Sequence, residues 1–169
     1  MINIKFKDGS NEKGELVYIN VEKDIGVGIL LDDCFFLFYK WDNYYKVDKS
    51  KELLISQLAL LELDVIDMKN HIEAKSYDFY NIIPVEEILM TAFHDKDGNG
   101  FSLYWKELAL NWIESLKFRT LPIINLLEEK SRKSYKALPV SLKVRMRKIK
   151  DGLTIPFQRF LTPEKDALG

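Results

Sequence analysis

Oxygen-bearing side chains at alternate positions are the most chemically suggestive pattern in this chain. Asp95, Asp97 and Asn99 alternate through Asp95-Lys96-Asp97-Gly98-Asn99-Gly100, and Phe101 follows. Ca²⁺ is a hard cation that takes roughly six to eight oxygens. Three side-chain oxygens on one short loop, a glycine that permits a sharp turn, and a backbone carbonyl at Phe101 make the beginning of a cation cradle. The next carboxylate along the chain is Glu107, directly behind Lys106.

With Phe93 before it and Phe101 after it, this stretch resembles the calcium loop of EF-hand proteins of the calmodulin type. The resemblance implies ligands from Asp95, Asp97, Asn99 and the Phe101 carbonyl, completed by a bidentate glutamate at the twelfth loop position. Lys106 stands at that position and Glu107 comes one residue late, about 100° further round a helix. The resemblance covers about a dozen residues, with no second loop to pair with it. On the residues alone, an Asp- and Gly-rich turn between two elements is expected. Calcium affinity is then expected to be millimolar or weaker, and no cofactor is expected.

Other chemistry is sparse. Two histidines, His71 and His94, and the single Cys34 cannot assemble a standard structural zinc site. Cys34 stands in an apolar run, where a buried and inert thiol is expected. Gly26-Val27-Gly28 lacks the third glycine and following helix of a dinucleotide fingerprint. Glu86-Glu87 and Asp32-Asp33 are sequence neighbours, which do not share a helix face. Nothing resembles a phosphate loop or a nucleophile elbow, so the chain is not expected to be an enzyme.

Two surface patterns carry more weight. From Lys130 to Lys150 there are nine basic residues and no acidic one, including Arg132, Lys133, Arg145 and Arg147. The chain has 25 basic and 26 acidic residues, so the other 148 residues hold 16 basic and 26 acidic. A near-neutral total therefore conceals two oppositely charged regions. The basic segment suits phosphates or an acidic protein surface. Tyr135 is its only aromatic residue, which disfavours nucleic acid for want of a stacking platform. The second pattern is aromatic: Phe35, Phe36, Phe38, Tyr39, Trp41, Tyr44 and Tyr45 fall within eleven residues. Trp41, Tyr44 and Tyr45 sit among Lys40, Asp42, Asn43 and Lys46, the composition of an interface anchor.

A short chain without catalytic motifs, with acidic and aromatic surface, is similar in general character to the immunity proteins by which bacteria neutralise their own toxins. The similarity implies inhibition by direct docking on a protein partner such as a toxin domain, with Asp32, Asp33, Trp41, Asp42, Tyr44 and Tyr45 as the docking surface. A calcium-responsive module using the 95–107 loop and a nucleic-acid-associated protein using the 130–150 segment are the alternatives.

These residues need elements to position them. At 169 residues, 47% hydrophobic and 30% charged, the chain has ordinary globular composition and can bury a core. Up to residue 48 the period is two: Ile2, Ile4 and Phe6 alternate with polar residues, and strands are predicted at 15–20, 25–31 and 34–39, with 41–47 extending or adding one. Asp8-Gly9-Ser10-Asn11 and Asp32-Asp33 read as turns. After residue 48 the period is helical. Leu54, Leu58, Leu61, Val65, Met68 and Ile72 make one stripe, read as a single helix with Ser50 as N-cap. Pro84 opens 85–94, and Trp105, Leu108, Trp112 and Leu116 form a further stripe. Pro122 and Pro139 start helices near 122–136 and 139–150, the last stopped by Asp151-Gly152. A sheet followed by four to five helices predicts an α+β fold in one domain, β-rich over 1–48 and α-rich over 49–152, with a frayed tail at 162–169. No apolar run reaches the roughly 20 residues of a membrane helix, and a soluble cytoplasmic protein is expected.

Overall fold

A computed structural model describes residues 1–31, 34–51, 54–94, 102–132 and 138–158, the last six as backbone only. The chain falls into two compact units, Met1–Ala109 and Leu110–Gly169. The predicted α+β order is present: five strands are followed by helices. The strands are β1 (Ile2–Lys5), β2 (Asn11–Asn20), β3 (Ile25–Leu30), β4 (Phe35–Lys40) and β5 (Asn43–Asp48). They form one antiparallel meander in sequence order.

The pleat sorts the side chains by face. Cross-strand partners share a face, so Gly28, Leu37 and Lys46 lie on one, with Gly26, Tyr39 and Tyr44. On this face Ile4, Phe6, Leu30 and Leu37 are buried together, with Leu16, Phe35 and Tyr44 packed against them. The opposite face presents Ile25, Val27, Phe36, Phe38 and Val47, all buried. The sheet coils so far that its ends meet: Phe6 and Tyr44 form a parallel bridge, and the Lys7 N–H donates to the Tyr44 carbonyl at 3.0 Å. Glycines permit the coiling. A Cβ on Gly28 would lie 2.1 Å from the Glu15 carbonyl oxygen, and one on Gly26 would lie 2.9 Å from that of Tyr18. The β2–β3 register shifts between Leu16 and Tyr18, leaving Val17 as a bulge that sharpens the local twist. Gly26 and Gly28 thus serve strand packing.

In the first unit a 3₁₀ segment, Ile55–Glu62, is followed by α1 (Val65–Ala74), α2 (Phe79–Ile82), α3 (Val85–Ala92) and α4 (Leu103–Leu116), with the unit boundary inside α4. The six stripe residues from Leu54 to Ile72 are all buried. They do not belong to one helix, however. Asp64 breaks it, its carboxylate accepting from the N–H groups of Ile66 and Asp67 as N-cap of α1. Ser50 is not the N-cap of the 3₁₀ segment, a position held by Leu54; its N–H and hydroxyl both donate to Asp48. Thr91 ties α3 to the start of the 3₁₀ segment by accepting from the Leu54 N–H at 3.0 Å and donating to the Glu87 carbonyl at 2.6 Å. Tyr18, on β2, donates to Asp67 at 3.1 Å and meets His71 edge-on, which places α1 over β2.

The second unit holds the rest of α4, α5 (Leu121–Ser131) and α6 (Val140–Gln158), and α5 and α6 pack on each other. Its buried apolar residues include Ile123, Leu126, Leu127, Leu142, Met146 and Ile149. Pro122 stands in the first turn of α5, as predicted. α6 continues through Asp151-Gly152 to Gln158. A stop at Gly152 would need a left-handed backbone, whereas Gly152 stays helical at a cost near 1 kcal/mol relative to alanine. Residues 162–169 lie outside the described chain.

Candidate functional site

The β4–β5 hairpin turns on Trp41 and Asp42, with Lys40 opposite Asn43. Both turn residues have positive φ, 50° at Trp41 and 58° at Asp42. That is the backbone of a two-residue type I′ turn, whose favoured sequence is Asn-Gly. A tryptophan there is strained, because its Cβ crowds the following carbonyl. Local bonds hold the conformation: the Asn43 amide donates to the Trp41 carbonyl at 2.6 Å, and the Lys40 ammonium lies 4.1 Å from the Trp41 ring centroid. Trp41 is 66% exposed.

Tyr39, at the foot of the turn, donates its hydroxyl to Asp42 at 3.1 Å. A hydrogen bond with Asp24, then desolvation, then the Asp42 bond favour the neutral phenol and push its pKa up to about 12 from an ordinary 10.0. Ultraviolet titration will therefore show one tyrosinate forming near pH 12, and Tyr39→Phe will remove that step. Because the folded pKa is the raised one, the associated stability is fully present below pH 10 and is lost as pH rises through about 12.

Beside the hairpin lies a cleft of about 420 Å³. Phe38 and Ala59, both buried, form its floor, and Trp41, Tyr45, Ile55 and Trp105 its walls. Lys7, Lys40 and Ser56 complete the lining. Four elements supply these residues: the chain just after β1, the β4–β5 hairpin, the 3₁₀ segment and the first turn of α4. Tyr45 faces Phe38 across the two strands at 6.0 Å, and the Lys7 ammonium stands 5.5 Å from the Tyr45 ring centroid. Trp105 is braced edge-on by Tyr104 at 4.9 Å. An exposed tryptophan, a second half-buried one and a tyrosine on a concave apolar floor can seat a large apolar side chain and shield it from water.

Of the six residues expected to form a docking surface, two lie together. Trp41 and Tyr45 share the cleft. Tyr44 does not: as the neighbour of Tyr45 it points to the opposite face, its ring tilted at 51° to that of Tyr39 with centroids 5.2 Å apart, and packed against the core around Leu37. Asp42 is engaged by Tyr39. Asp32 and Asp33 lie outside the described residues, and their neighbours Leu31 and Cys34 stand at the end of β4 away from Trp41. Cys34 is exposed, not buried, because it precedes the strand at the turn. Trp105, expected only as part of a helical stripe, lines the same cleft. Periodicity places it on a helix but not beside a cleft.

Some of the described basic residues of the 130–150 segment are engaged or buried within the second unit. Arg145 donates to Asn111 at 2.6 Å and to the Glu114 carboxylate, both on α4. Arg132 pairs with Glu128 at 3.6 Å, and Lys143 is buried. Arg147 and Lys148 are exposed, while Lys133 and Lys136 lie outside the described residues. Of the proposed cation ligands, Asp95, Asp97, Asn99 and Phe101 also lie outside them, and Glu107 is exposed on α4. Among the described residues no three His, Cys, Asp or Glu side chains are grouped to hold a metal. None of the described helices is long and apolar enough to cross a membrane. No protein-family model, curated protein or solved structure matches this chain.

Proposed function

We propose that this chain acts by docking another protein, as an inhibitor of the immunity type, with the cleft of Trp41, Tyr45 and Trp105 as its anchor site. One observation carries the proposal: a solvent-exposed tryptophan is held in a strained left-handed conformation at the mouth of an aromatic cleft. Strain of this kind is retained where function needs it, and exposed Trp and Tyr at a concave site are the residues that concentrate binding energy in protein interfaces. A toxin domain is the partner this class of inhibitor would meet, in the cytoplasm of the producing cell.

Affinity capture from the native host, followed by titration of the captured partner, tests this. Wild-type protein will retain a partner, and Trp41→Ala and Trp105→Ala will each weaken it by about 2 kcal/mol or more, roughly thirtyfold. Trp41→Ala will keep its far-ultraviolet circular dichroism, since the ring is mostly in water. A folded pair of variants with unchanged affinity would move the interface elsewhere.

A further inference from the structure

We infer that the cleft selects an acidic segment of its partner, seating an aromatic or aliphatic side chain against Trp41 and Trp105 while flanking carboxylates meet Lys7 and Lys40. This rests on the docking proposal and adds the chemistry of the occupant. The charges that line the cleft are all of one sign: Lys7 and Lys40 contribute ammonium groups, and no Asp or Glu is among the described lining residues. The two ammonium groups are also already placed. Lys40 Nζ lies over the Trp41 ring at 4.1 Å, and Lys7 Nζ lies 5.5 Å from the Tyr45 centroid and within 3.5 Å of its hydroxyl.

That placement decides against a cationic occupant. A partner's lysine, arginine or methylated ammonium would seek the faces of Trp41 and Tyr45, which the chain's own cations hold. It would have to displace them or sit beside them at a repulsive distance. A carboxylate gains from both ammonium groups without displacing either, and its attraction strengthens as the apolar anchor excludes water from the cleft. The same cations and aromatic rings could hold a stacked base and its phosphates. However, Met1–Ala109 carries 12 lysines, no arginine and 20 acidic residues. A polyanion needs a row of cations along its backbone, and this cleft offers two. A peptide with one or two carboxylates beside its anchor is the better match.

Fluorescence anisotropy with labelled decapeptides tests the inference. Each has a central Phe-Leu pair, flanked by glutamates, by serines or by lysines, and labelled deca-thymidylate is the fourth probe. The glutamate peptide will bind about tenfold more tightly than the serine peptide, the order expected of two partly shielded ion pairs. The lysine peptide will bind more weakly still. In Lys7→Glu/Lys40→Glu the order of glutamate and lysine peptides will reverse, and circular dichroism will confirm that the fold is kept. Equal binding of the three peptides, no binding of any, or a preference for lysine by the wild type would overturn the inference. Tighter binding of deca-thymidylate would replace it with single-stranded nucleic acid. If partner capture still depends on Trp41 while the peptides show no order, docking stands and only the acidic occupant fails.

Discussion

Alanine at position 28 will unfold the sheet-bearing unit at temperatures where the wild-type chain is folded. The added Cβ would meet the Glu15 carbonyl oxygen at 2.1 Å, the Glu15 carbonyl carbon at 2.9 Å and the Leu16 Cα at 3.0 Å. All three are backbone atoms of β2, the strand paired with β3, so no rotamer change relieves the overlap. Overpacking of a well-filled core commonly costs about 1–3 kcal/mol. With backbone on both sides of the clash, about 3–5 kcal/mol is expected, a fall of roughly 10 °C or more in the melting midpoint. Gly152→Ala gives the opposite sign. Nothing lies within 4 Å of its added methyl, and it is helical, so a gain of up to about 1 kcal/mol is expected. Thermal melts of both variants, followed by circular dichroism, check the pair. A Gly28→Ala protein that melts with the wild type would show that β2 can move away from β3.

Replacing Trp41-Asp42 by Asn-Gly will make the protein more stable and less able to bind. Both positions lie in the left-handed region, which costs an ordinary L-residue roughly 1–2 kcal/mol and suits Asn-Gly. The double variant loses the Lys40–Trp41 contact and the Tyr39–Asp42 hydrogen bond. Both are exposed, and each is worth less than the strain relieved. A net gain of about 1–2 kcal/mol, several degrees in the melting midpoint, is expected. Partner capture will fall at least as far as in Trp41→Ala. A variant that is stabilised and still binds would show that the tryptophan is carried for neither purpose.

The sheet was legible because its signals are local. Alternation at Ile2, Ile4 and Phe6 and the apolar runs of β3 and β4 need only a two-residue period and a buried face. The stripe from Leu54 to Ile72 shows the limit of that method. Spacings of three and four fit an α-helix, but they also survive a 3₁₀ segment followed by a fresh helix. The deciding residue was Asp64, a capping side chain in the middle of an apolar pattern. The separation of Tyr44 from Tyr45 was implicit in the strand period, since neighbours in a strand cannot share a face. The cleft itself was not legible. Lys7, Ile55 and Trp105 are distant in sequence from Trp41, and only the coiling of the sheet and the placement of the 3₁₀ segment and the first turn of α4 bring them together. The described part of the basic segment shows a related limit. Arg145 meets Asn111 and Glu114, partners on an earlier helix that no spacing within the segment announces.

The bridge between Phe6 and Tyr44 also sets an order of assembly. During synthesis the N-terminal strand is made first, and β2 can pair with it at once through the turn at Asp8-Gly9-Ser10. Its Phe6 end has no second partner until the fifth strand has been made, 38 positions later. Until then the ring of Phe6, 3% exposed in the finished fold, lacks part of its cover, and the backbone donor of Lys7 waits for the Tyr44 carbonyl. The growing chain therefore passes through a stage in which four strands are present and the sheet is still open, so closure is a late, non-local event. Truncation before Asn43 would leave that open state permanent, with a bare strand edge available to any other nascent chain.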